Sequence, residues 1–415
     1  MIGQRSYGGI TRPFEASASH TAMASQGATM PLIGKQRASH AVKLYGPNPM
    51  IGTLPPGPLD IVGDVHGELD ALRDLLAAAG YDISGRHPDG RHLVFLGDLV
   101  DRGPDSPGVV GLVRSLVESG RASAIVGNHE LNLLRGERKP GNDWFWREHT
   151  RHDEWYQPWA TAEPAADPEL LAFMSTLPVA LVRADLRVVH AAWHGPSMDL
   201  LAQQAAGSHI GQLFGQLDGD ADAELLASGL VDRAKADKAT WRHHFADDQI
   251  PMPMLQAVGE LDAARQMLNP LRVLTSGVER CADQPFFASG QWRFAERVRW
   301  WDSYADDVPV VVGHYWRQFL PVDRQQLGKG DPDLFDGVPP TSWMEPSGRV
   351  FCADFSVGGR YQERALEPKA RRTRLALLRW PPEFDTKRCK LLICLEAPLQ
   401  AATTTTTFGL QRLVS

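Results

Sequence analysis

The chain has 415 residues, of which 43% are hydrophobic and 22% are charged, and its formal net charge is -7. These values are typical of a globular protein, and the length allows one large domain or two small ones. The slightly acidic balance argues against a general nucleic-acid-binding protein, which usually carries a basic face.

The cysteines and the hydropathy pattern bear on cellular location. Cys389 and Cys394 lack the second ligand pair that a structural zinc site needs, so we expect reduced thiols at all four cysteines, Cys281, Cys352, Cys389 and Cys394. No stretch approaches the run of about 18 apolar residues that spans a membrane, and no apolar segment follows the N-terminal basic residues. We therefore expect a cytoplasmic protein without a membrane partner.

The two ends of the chain differ from its middle. Residues 1–57 are rich in Gly, Ser, Ala, Pro and Thr, and they are interpreted as a disordered extension. Met50 stands just before the first clear strand, so a start codon assigned too far upstream would also explain this segment. Residues 381–415 include five consecutive threonines and are interpreted as a poorly ordered tail. The predicted domain is thus 58–380.

The first part of this domain alternates between strands and helices. Apolar runs at Leu59–Val62, His92–Leu96 and Ala124–Val126 predict buried strands. Apolar residues at helical spacing follow the first run up to Gly80 and recur over Val109–Val117. This order predicts parallel βαβ units in a sheet that is covered on both faces, and so a protein of the α/β class.

The second part is less regular. Further strands are predicted at Val179–Val182, Arg187–Val189, Val308–Val312, Val350–Cys352 and Leu375–Leu378, the first two forming a hairpin. Residues 134–176 and 195–300 are mostly helical in composition and too long for plain connections. We therefore expect these two insertions to form a helical cap over one end of the sheet.

Polar side chains cluster where five predicted strands end. The carboxyl ends of strands in an open α/β sheet form the crevice where ligands bind, so these segments should converge. The candidate metal ligands among them are Asp64, His66, Asp98, Asn128, His190 and His314.

The chemistry of these six residues predicts two metal ions. Asp64 and His66 alternate, so on an extended segment their side chains point the same way. A set of carboxylates, imidazoles and an amide suits Mn²⁺, Fe or Zn²⁺ better than Ca²⁺. Two ions about 3.5–4 Å apart, joined by a carboxylate, can activate a bridging hydroxide for attack on a phosphoryl group.

Each motif alone has a simpler explanation. The segment from Asp98 to Gly103 could be a polar turn, and Asn128 could be an ordinary helix cap. His190 and His314 could be core histidines with satisfied hydrogen bonds. Their joint occurrence at strand ends, in an order that one site can use, favours the metal site.

Three blocks carry a family resemblance. Gly63–Gly67 reads Gly-Asp-Val-His-Gly, Gly97–Gly103 reads Gly-Asp-Leu-Val-Asp-Arg-Gly, and Gly127–Glu130 reads Gly-Asn-His-Glu. Together they resemble the calcineurin-like metallophosphoesterase superfamily over about residues 58–380. Within it they look most like the phosphoprotein phosphatase branch, which includes symmetrical dinucleoside tetraphosphate hydrolases. The resemblance implies a β-sandwich flanked by helices.

The resemblance also implies a role for each motif residue. It places Asp64 and His66 on the first metal, Asp98 between the two, and on the second metal Asn128, His190 and His314. It makes His129 the general acid oriented by Asp101, and it assigns phosphate binding to Arg102 with Asn128. These roles suit the chemistry, because an imidazolium paired with a carboxylate can protonate a leaving group and a guanidinium matches phosphate oxygens.

The sequence departs from the family pattern around the pocket. His190 is followed by Ala-Ala-Trp in place of a nearby glycine, and His314 is followed by Tyr-Trp-Arg in place of threonine. The family's second phosphate-binding arginine has no clean match, and the candidates are Arg299, Arg317 and Arg360. A group of aromatic residues follows the Gly-Asn-His-Glu block: Trp144, Phe145, Trp146, Trp155, Tyr156 and Trp159. These residues either line a substrate rim or pack as a small core.

The expected function is hydrolysis of a phosphomonoester, in a serine or threonine phosphoprotein or a small phosphorylated metabolite, with two divalent ions. Mn²⁺ is the preferred ion, and Fe or Zn²⁺ are alternatives. A dinucleoside polyphosphate hydrolase is the second interpretation. A non-catalytic scaffold that binds a phosphorylated partner ranks below both, because all ligand residues and the acid are present.

Overall fold

A computed structural model of the chain describes residues 50–147, 154–161, 163, 166–204, 208–324, 330–344, 346–367, 370–381 and 389–393. The strands of this part are β1 Ile51–Thr53, β2 Leu59–Val62, β3 His92–Phe95, β4 Ala122–Ala124, β5 Ala180–Arg183, β6 Leu186–Val189, β7 Glu279–Ala288, β8 Gln291–Arg297, β9 Val310–Val312, β10 Val350–Cys352, β11 Ala376–Trp380 and β12 Lys390–Ile393. The α-helices are α1 Leu69–Ala79, α2 Ser106–Glu118, α3 Asn128–Leu134, α4 Asp143–Trp146, α5 Asp167–Thr176, α6 Gly195–Ala202, α7 Ile210–Ala227, α8 Leu230–Trp241, α9 Gln256–Leu268 and α10 Pro270–Ser276.

Two five-stranded sheets form the centre of the fold. One has the order β1-β5-β6-β9-β10, and the other has the order β12-β11-β2-β3-β4. A cluster of buried apolar side chains drawn from both sheets, including Ile61, Val188 and Val311, lies between them. The α/β sandwich flanked by helices is therefore confirmed.

The predicted βαβ pattern is also confirmed. β2, β3 and β4 run parallel to one another, with α1 between the first two and α2 between the second two. α1 buries Leu72 and Leu75 and ends at Gly80, whose φ of 98° is a left-handed conformation that glycine adopts at little cost. The predicted hairpin of β5 and β6 is antiparallel, as expected.

The domain limits and some predicted elements need correction. β1 pairs in parallel with β5 inside the segment 1–57 that was expected to be disordered, and β12 pairs with β11 inside the predicted tail. β1 has only three residues and does not stand out from its flanks by periodicity. The rest of both end segments, residues 1–49 and 394–415, lies outside the described residues, as does Cys394.

The two insertions contain more than helices. Residues 134–176 contribute α4, α5 and a 3₁₀ turn, Glu154–Tyr156. Residues 195–300 contribute α6 to α10, but also the antiparallel hairpin of β7 and β8, which the expectation of a mostly helical segment missed. In the described part of the chain, α7, α8 and α9 pack with this hairpin around a separate apolar cluster.

In the part of the chain that the structure describes, no helix is both long enough and apolar enough to cross a membrane. Cys281 and Cys352 are free thiols.

Candidate metal centre

The loops that carry the predicted ligands have an unusual backbone. Nine non-glycine residues of the described chain have positive φ angles, and six of them belong to these loops: His66, Asp98, Asp101, Arg102, His314 and Trp316. Such conformations are costly for residues with a Cβ and persist where the surrounding structure enforces them. The strained residues therefore lie in the loops where the sequence predicts the metal ligands.

Asp98 lies at the centre of the candidate site. Its Oδ1 atom is 3.3 Å from His190 Nε2, and its Oδ2 atom is 3.7 Å from His66 Nε2 and 3.9 Å from His129 Nε2. Asp98 takes part in two groups of potential ligand atoms, one with His66 and His129 and one with His190 and His314. A carboxylate shared by two groups is the arrangement that a bridged pair of ions requires.

The second group also includes an amide oxygen. Asn128 is the first residue of α3, and its Oδ1 atom is 2.9 Å from His314 Nδ1 and 3.2 Å from His190 Nε2. His314 Nε2 is buried without a hydrogen-bond partner among the described residues. Lone pairs of oxygen and nitrogen that converge in a buried space fit a borderline divalent cation.

The backbone fixes which nitrogen of two histidines faces this space. His66 Nδ1 is 3.0 Å from the carbonyl oxygen of Val100, and His190 Nδ1 is 2.7 Å from that of Leu96. A carbonyl oxygen only accepts, so each Nδ1 donates its proton, and in the neutral ring each Nε2 keeps its lone pair. Such contacts orient metal-binding histidines and select their tautomer.

Asp64 contacts the backbone of the segment that carries His314. Its carboxylate accepts the backbone N–H of His314, with N–O distances of 3.0 and 3.2 Å. A Cβ at Gly313 would overlap Asp64 Oδ1, so only glycine permits this approach. Asp64 does not enter either ligand group of the described chain, and its role as a ligand stays a prediction.

The charges of the site are strongly coupled. Burial opposes ionisation of Asp98, but His190 and His129 outweigh it and hold the pKa of Asp98 well below its ordinary value. Burial likewise disfavours charged His190, but Asp98 outweighs it and raises the pKa of His190 to about 10. Burial and then Asp354 raise the pKa of Asp64. The carboxylates therefore compete for positive charge, which bound cations would supply.

His129 and Asp101 form a close pair beside the metal ligands. His129 Nδ1 donates to Asp101 Oδ2 at 2.6 Å, which leaves Nε2 facing Asp98. Burial lowers the pKa of His129 to about 3, so the free ring is neutral at pH 7. An incoming phosphate would favour the protonated ring, because negative charge nearby stabilises imidazolium.

Arg102 lies next to His66 with an aromatic ring over it. Its Nη1 atom is 3.3 Å from His66 Nε2, and its guanidinium is 4.7 Å from the centre of the Trp316 ring. The segment Val357–Glu363 closes this side, since a Cβ at Gly358 would lie 2.5 Å from His66 Cδ2 and 2.8 Å from Arg102 Nη1. The predicted phosphate-binding arginine is thus held at the ligand set.

The three arginines suggested as a second phosphate contact have other partners. Arg317 is buried and donates to the carbonyl oxygens of Pro339 and Ser342 at 2.6 and 2.8 Å. Arg299 forms an ion pair with Asp302, and Arg360 forms one with Glu68. Arg317 therefore has a structural role, and Arg299 and Arg360 are each paired with a carboxylate.

The sequence reasoning missed several supporting residues. Asp354 accepts the backbone N–H groups of Trp316 and Ser356 at 2.7 and 2.8 Å, which holds the segment after His314. Glu130 accepts backbone N–H groups next to Asp98, and its place in the Gly-Asn-His-Glu block was a usable signal. Asp354 had none beyond following a predicted strand.

The aromatic residues that follow the Gly-Asn-His-Glu block differ in their burial. Trp144 and Phe145 are buried and Trp146 is half-buried, whereas Trp155 is exposed to 71%. The rim interpretation is wrong for Trp144, because its ring is covered by the protein.

Similarity to known proteins agrees with this geometry. Residues 57–210 match the family model described as calcineurin-like phosphoesterase. The asymmetrical bis(5'-nucleosyl)-tetraphosphatase PrpE of Oceanobacillus iheyensis is 48% identical over 80 residues, which is 19% of this chain and 32% of that protein. The symmetrical bis(5'-nucleosyl)-tetraphosphatase of Ralstonia nicotianae is 40% identical over 94 residues, which is 22% and 29% of the two chains. The matches thus span about a third of the length of these curated relatives.

The chain is also similar to the solved structure of a cold-active protein-tyrosine phosphatase from a psychrophilic Shewanella species. The match covers 85% of this chain and 80% of the other chain at 16% identity, with a TM-score of 0.39. The family match includes the Gly-Asp-Val-His-Gly, Gly-Asp-Leu-Val-Asp-Arg-Gly and Gly-Asn-His-Glu blocks, whose side chains converge in the structure. This similarity places residues 57–210 in the calcineurin-like phosphoesterase family.

Proposed function

We propose that this chain is a phosphoesterase that works with two divalent transition-metal ions. The observation that supports it best is the position of Asp98 in two separate ligand groups. One bridging carboxylate with histidines on either side suits a pair of ions better than a single one. Mn²⁺ is our first candidate, since the mixed oxygen and nitrogen ligands also admit Fe or Zn²⁺.

We assign the ligands as the family resemblance implies. Asp64 and His66 would hold one ion, Asp98 would be shared, and the other ion would be held by Asn128, His190 and His314. When bound, the ions would supply a nucleophile at neutral pH and charge for the phosphoryl oxygens.

The remaining polar residues then act on the substrate. Arg102 would bind phosphate oxygens, because its guanidinium faces His66 at the ligand set. His129 would protonate the leaving oxygen from Nε2, since Asp101 holds its Nδ1 proton. Asn128 would contact phosphate as well as metal.

Phosphomonoesters, in phosphoserine or phosphothreonine proteins or in small metabolites, are our first substrate class. Dinucleoside tetraphosphates are the second, because the two relatives described above are named as tetraphosphatases. Such a substrate can be split into a triphosphate and a monophosphate or into two diphosphates, and the products would distinguish the two modes. We expect the protein to work in the cytoplasm.

A turnover screen tests the proposal. The protein, reconstituted with Mn²⁺, would be given an aryl phosphate, phosphopeptides and a dinucleoside tetraphosphate, with Asp98→Asn as the inactive control. Release of phosphate or nucleotide by the wild type but not by the variant supports the proposal. Tight binding of a phosphopeptide without any turnover would instead favour the non-catalytic scaffold.

A further inference from the structure

Trp144 donates a hydrogen bond to the carboxylate that holds His129. Its indole Nε1 is 2.7 Å from Asp101 Oδ1, while the other oxygen, Oδ2, accepts from His129 Nδ1 at 2.6 Å. Trp144 and Asp101 are 2% and 0% exposed. We infer that Trp144 is a positioning residue, which acts on the leaving-group proton through Asp101 and His129.

The indole is suited to this task because it can only donate. Trp Nε1 has no lone pair to offer, so the contact fixes Asp101 Oδ1 as an acceptor. The backbone N–H of Asp101 donates to Ser106 Oγ at 2.9 Å. The carboxylate is thereby held at both oxygens and at its backbone, which leaves one orientation in which Oδ2 meets His129.

The location of Trp144 shows why the motif alone does not reveal this contact. Trp144 lies in α4, inside the insertion that was expected to be a cap, and 43 positions after Asp101. The same insertion also contacts the loop after β3, because the backbone N–H of Arg102 donates to Gly141 O at 3.0 Å. The insertion therefore contributes to the centre and does not only cover it.

The inference rests on the proposed function, and a pair of matched variants tests it. Trp144→Phe removes the indole N–H but keeps an aromatic ring. Trp301→Phe is the control, because Trp301 is also fully buried but its Nε1 has no hydrogen-bond partner among the described residues. A second variant replaces Trp144 by benzothienylalanine, which has the shape of tryptophan without the N–H. It tests the hydrogen bond even if phenylalanine does not fill the space.

We expect the Trp144 variants to lower kcat for alkyl phosphates by roughly 10- to 100-fold, the effect of losing a hydrogen bond to a charged group. KM should stay unchanged. The loss should be small for 4-nitrophenyl phosphate, whose leaving group needs no proton. In a His129→Asn background the Trp144 change should have no further effect, whereas a merely structural change would still add its own.

The outcomes separate the two proposals. No turnover by the wild type overturns the proposed function and this inference with it. Normal turnover that is equally affected by the Trp144 and Trp301 variants overturns the inference alone. So does an equal loss for good and poor leaving groups. The indole proton resonance of Trp144 should also move in Asp101→Asn, and an unmoved resonance contradicts the hydrogen bond.

Discussion

Glu130 Oε2 accepts the backbone N–H of Asp98 at 2.9 Å. The same carboxylate accepts from Leu99 N at 2.7 Å and from Gly127 N at 2.8 Å, and it is fully buried. These bonds join the loop after β3 to the first turn of α3. Glu130 therefore fixes the distance between the proposed bridging ligand, Asp98, and the proposed ligand Asn128.

Glu130→Gln should weaken both folding and metal binding. Its amide nitrogen cannot accept, so at least one buried N–H is left without a partner, which costs about 1–3 kcal/mol. We expect the free energy of unfolding, measured with urea, to fall by roughly this amount. The exposed Glu224→Gln serves as the control. Unchanged stability and unchanged metal content in Glu130→Gln would contradict the role of this carboxylate.

Metal removal should abolish activity. In the proposed mechanism the ions would supply both the nucleophile and positive charge for the phosphoryl oxygens. A chelator should therefore remove turnover of an aryl phosphate, and Mn²⁺ should restore it. Elemental analysis after reconstitution should show close to two metal ions per chain, and less than one would contradict the two-metal proposal.

The sequence predicted β2 and β3 because each is a mainly apolar segment that is followed by polar residues. β2 was located at its correct bounds, and the ligand blocks were found at the strand ends. β4 was placed two residues late, since Ala122–Ala124 is short and the more apolar Ile125 and Val126 follow it. Short apolar segments show where a strand lies better than where it ends.

The parts that sequence reasoning missed depend on contacts between distant segments. In the sequence Trp144 is one of several aromatic residues in the first insertion, and its hydrogen bond to Asp101 exists only when the insertion folds back on the loop. Apolar and polar residues alternate only weakly along β7 and β8, because both strands are largely exposed or half-buried. Local patterns contain no information about such tertiary partners.

His129→Asn should lower kcat by roughly 10²–10⁴-fold, the usual range for a lost general acid. Metal content decides between two roles, because His129 Nε2 also belongs to a potential ligand group with Asp98 and His66. Retained metal together with a smaller loss for good leaving groups supports proton transfer. Loss of an ion would show that His129 is a ligand.

Gly313→Ala should disrupt the site although it adds only one methyl group. The new Cβ would overlap the Asp64 carboxylate, which accepts the N–H of His314. We expect loss of activity and a lower melting temperature. Gly215→Ala is a control of opposite sign, because nothing lies within 4 Å of its Cβ position and alanine stabilises a helix interior by roughly 0.5–1 kcal/mol. Full activity in Gly313→Ala would contradict the close packing.

Two tyrosines lie on segments that Arg364 links to the Arg102 backbone, and we expect them to contact the rest of a large substrate. The rings of Tyr156 and Tyr361 are 4.4 Å apart, and Arg364 links them to the site by donating to Tyr156 O at 3.1 Å and to Arg102 O at 3.2 Å. Tyr361 is also in the segment whose Gly358 packs against His66. An aromatic surface near Arg102, the proposed phosphate-binding residue, could stack on a base or an aromatic side chain of the substrate.

Tyr361→Ala should therefore raise KM for a dinucleoside tetraphosphate or an aromatic phosphopeptide by about tenfold, which corresponds to a stacking contribution of about 1–3 kcal/mol. Turnover of a small alkyl phosphate should hardly change, because it does not extend beyond the ligands and Arg102. Tyr361→Phe keeps the ring and should behave like the wild type. Equal losses for small and large substrates, with a reduced melting temperature, would show that the tyrosine pair only stabilises the fold.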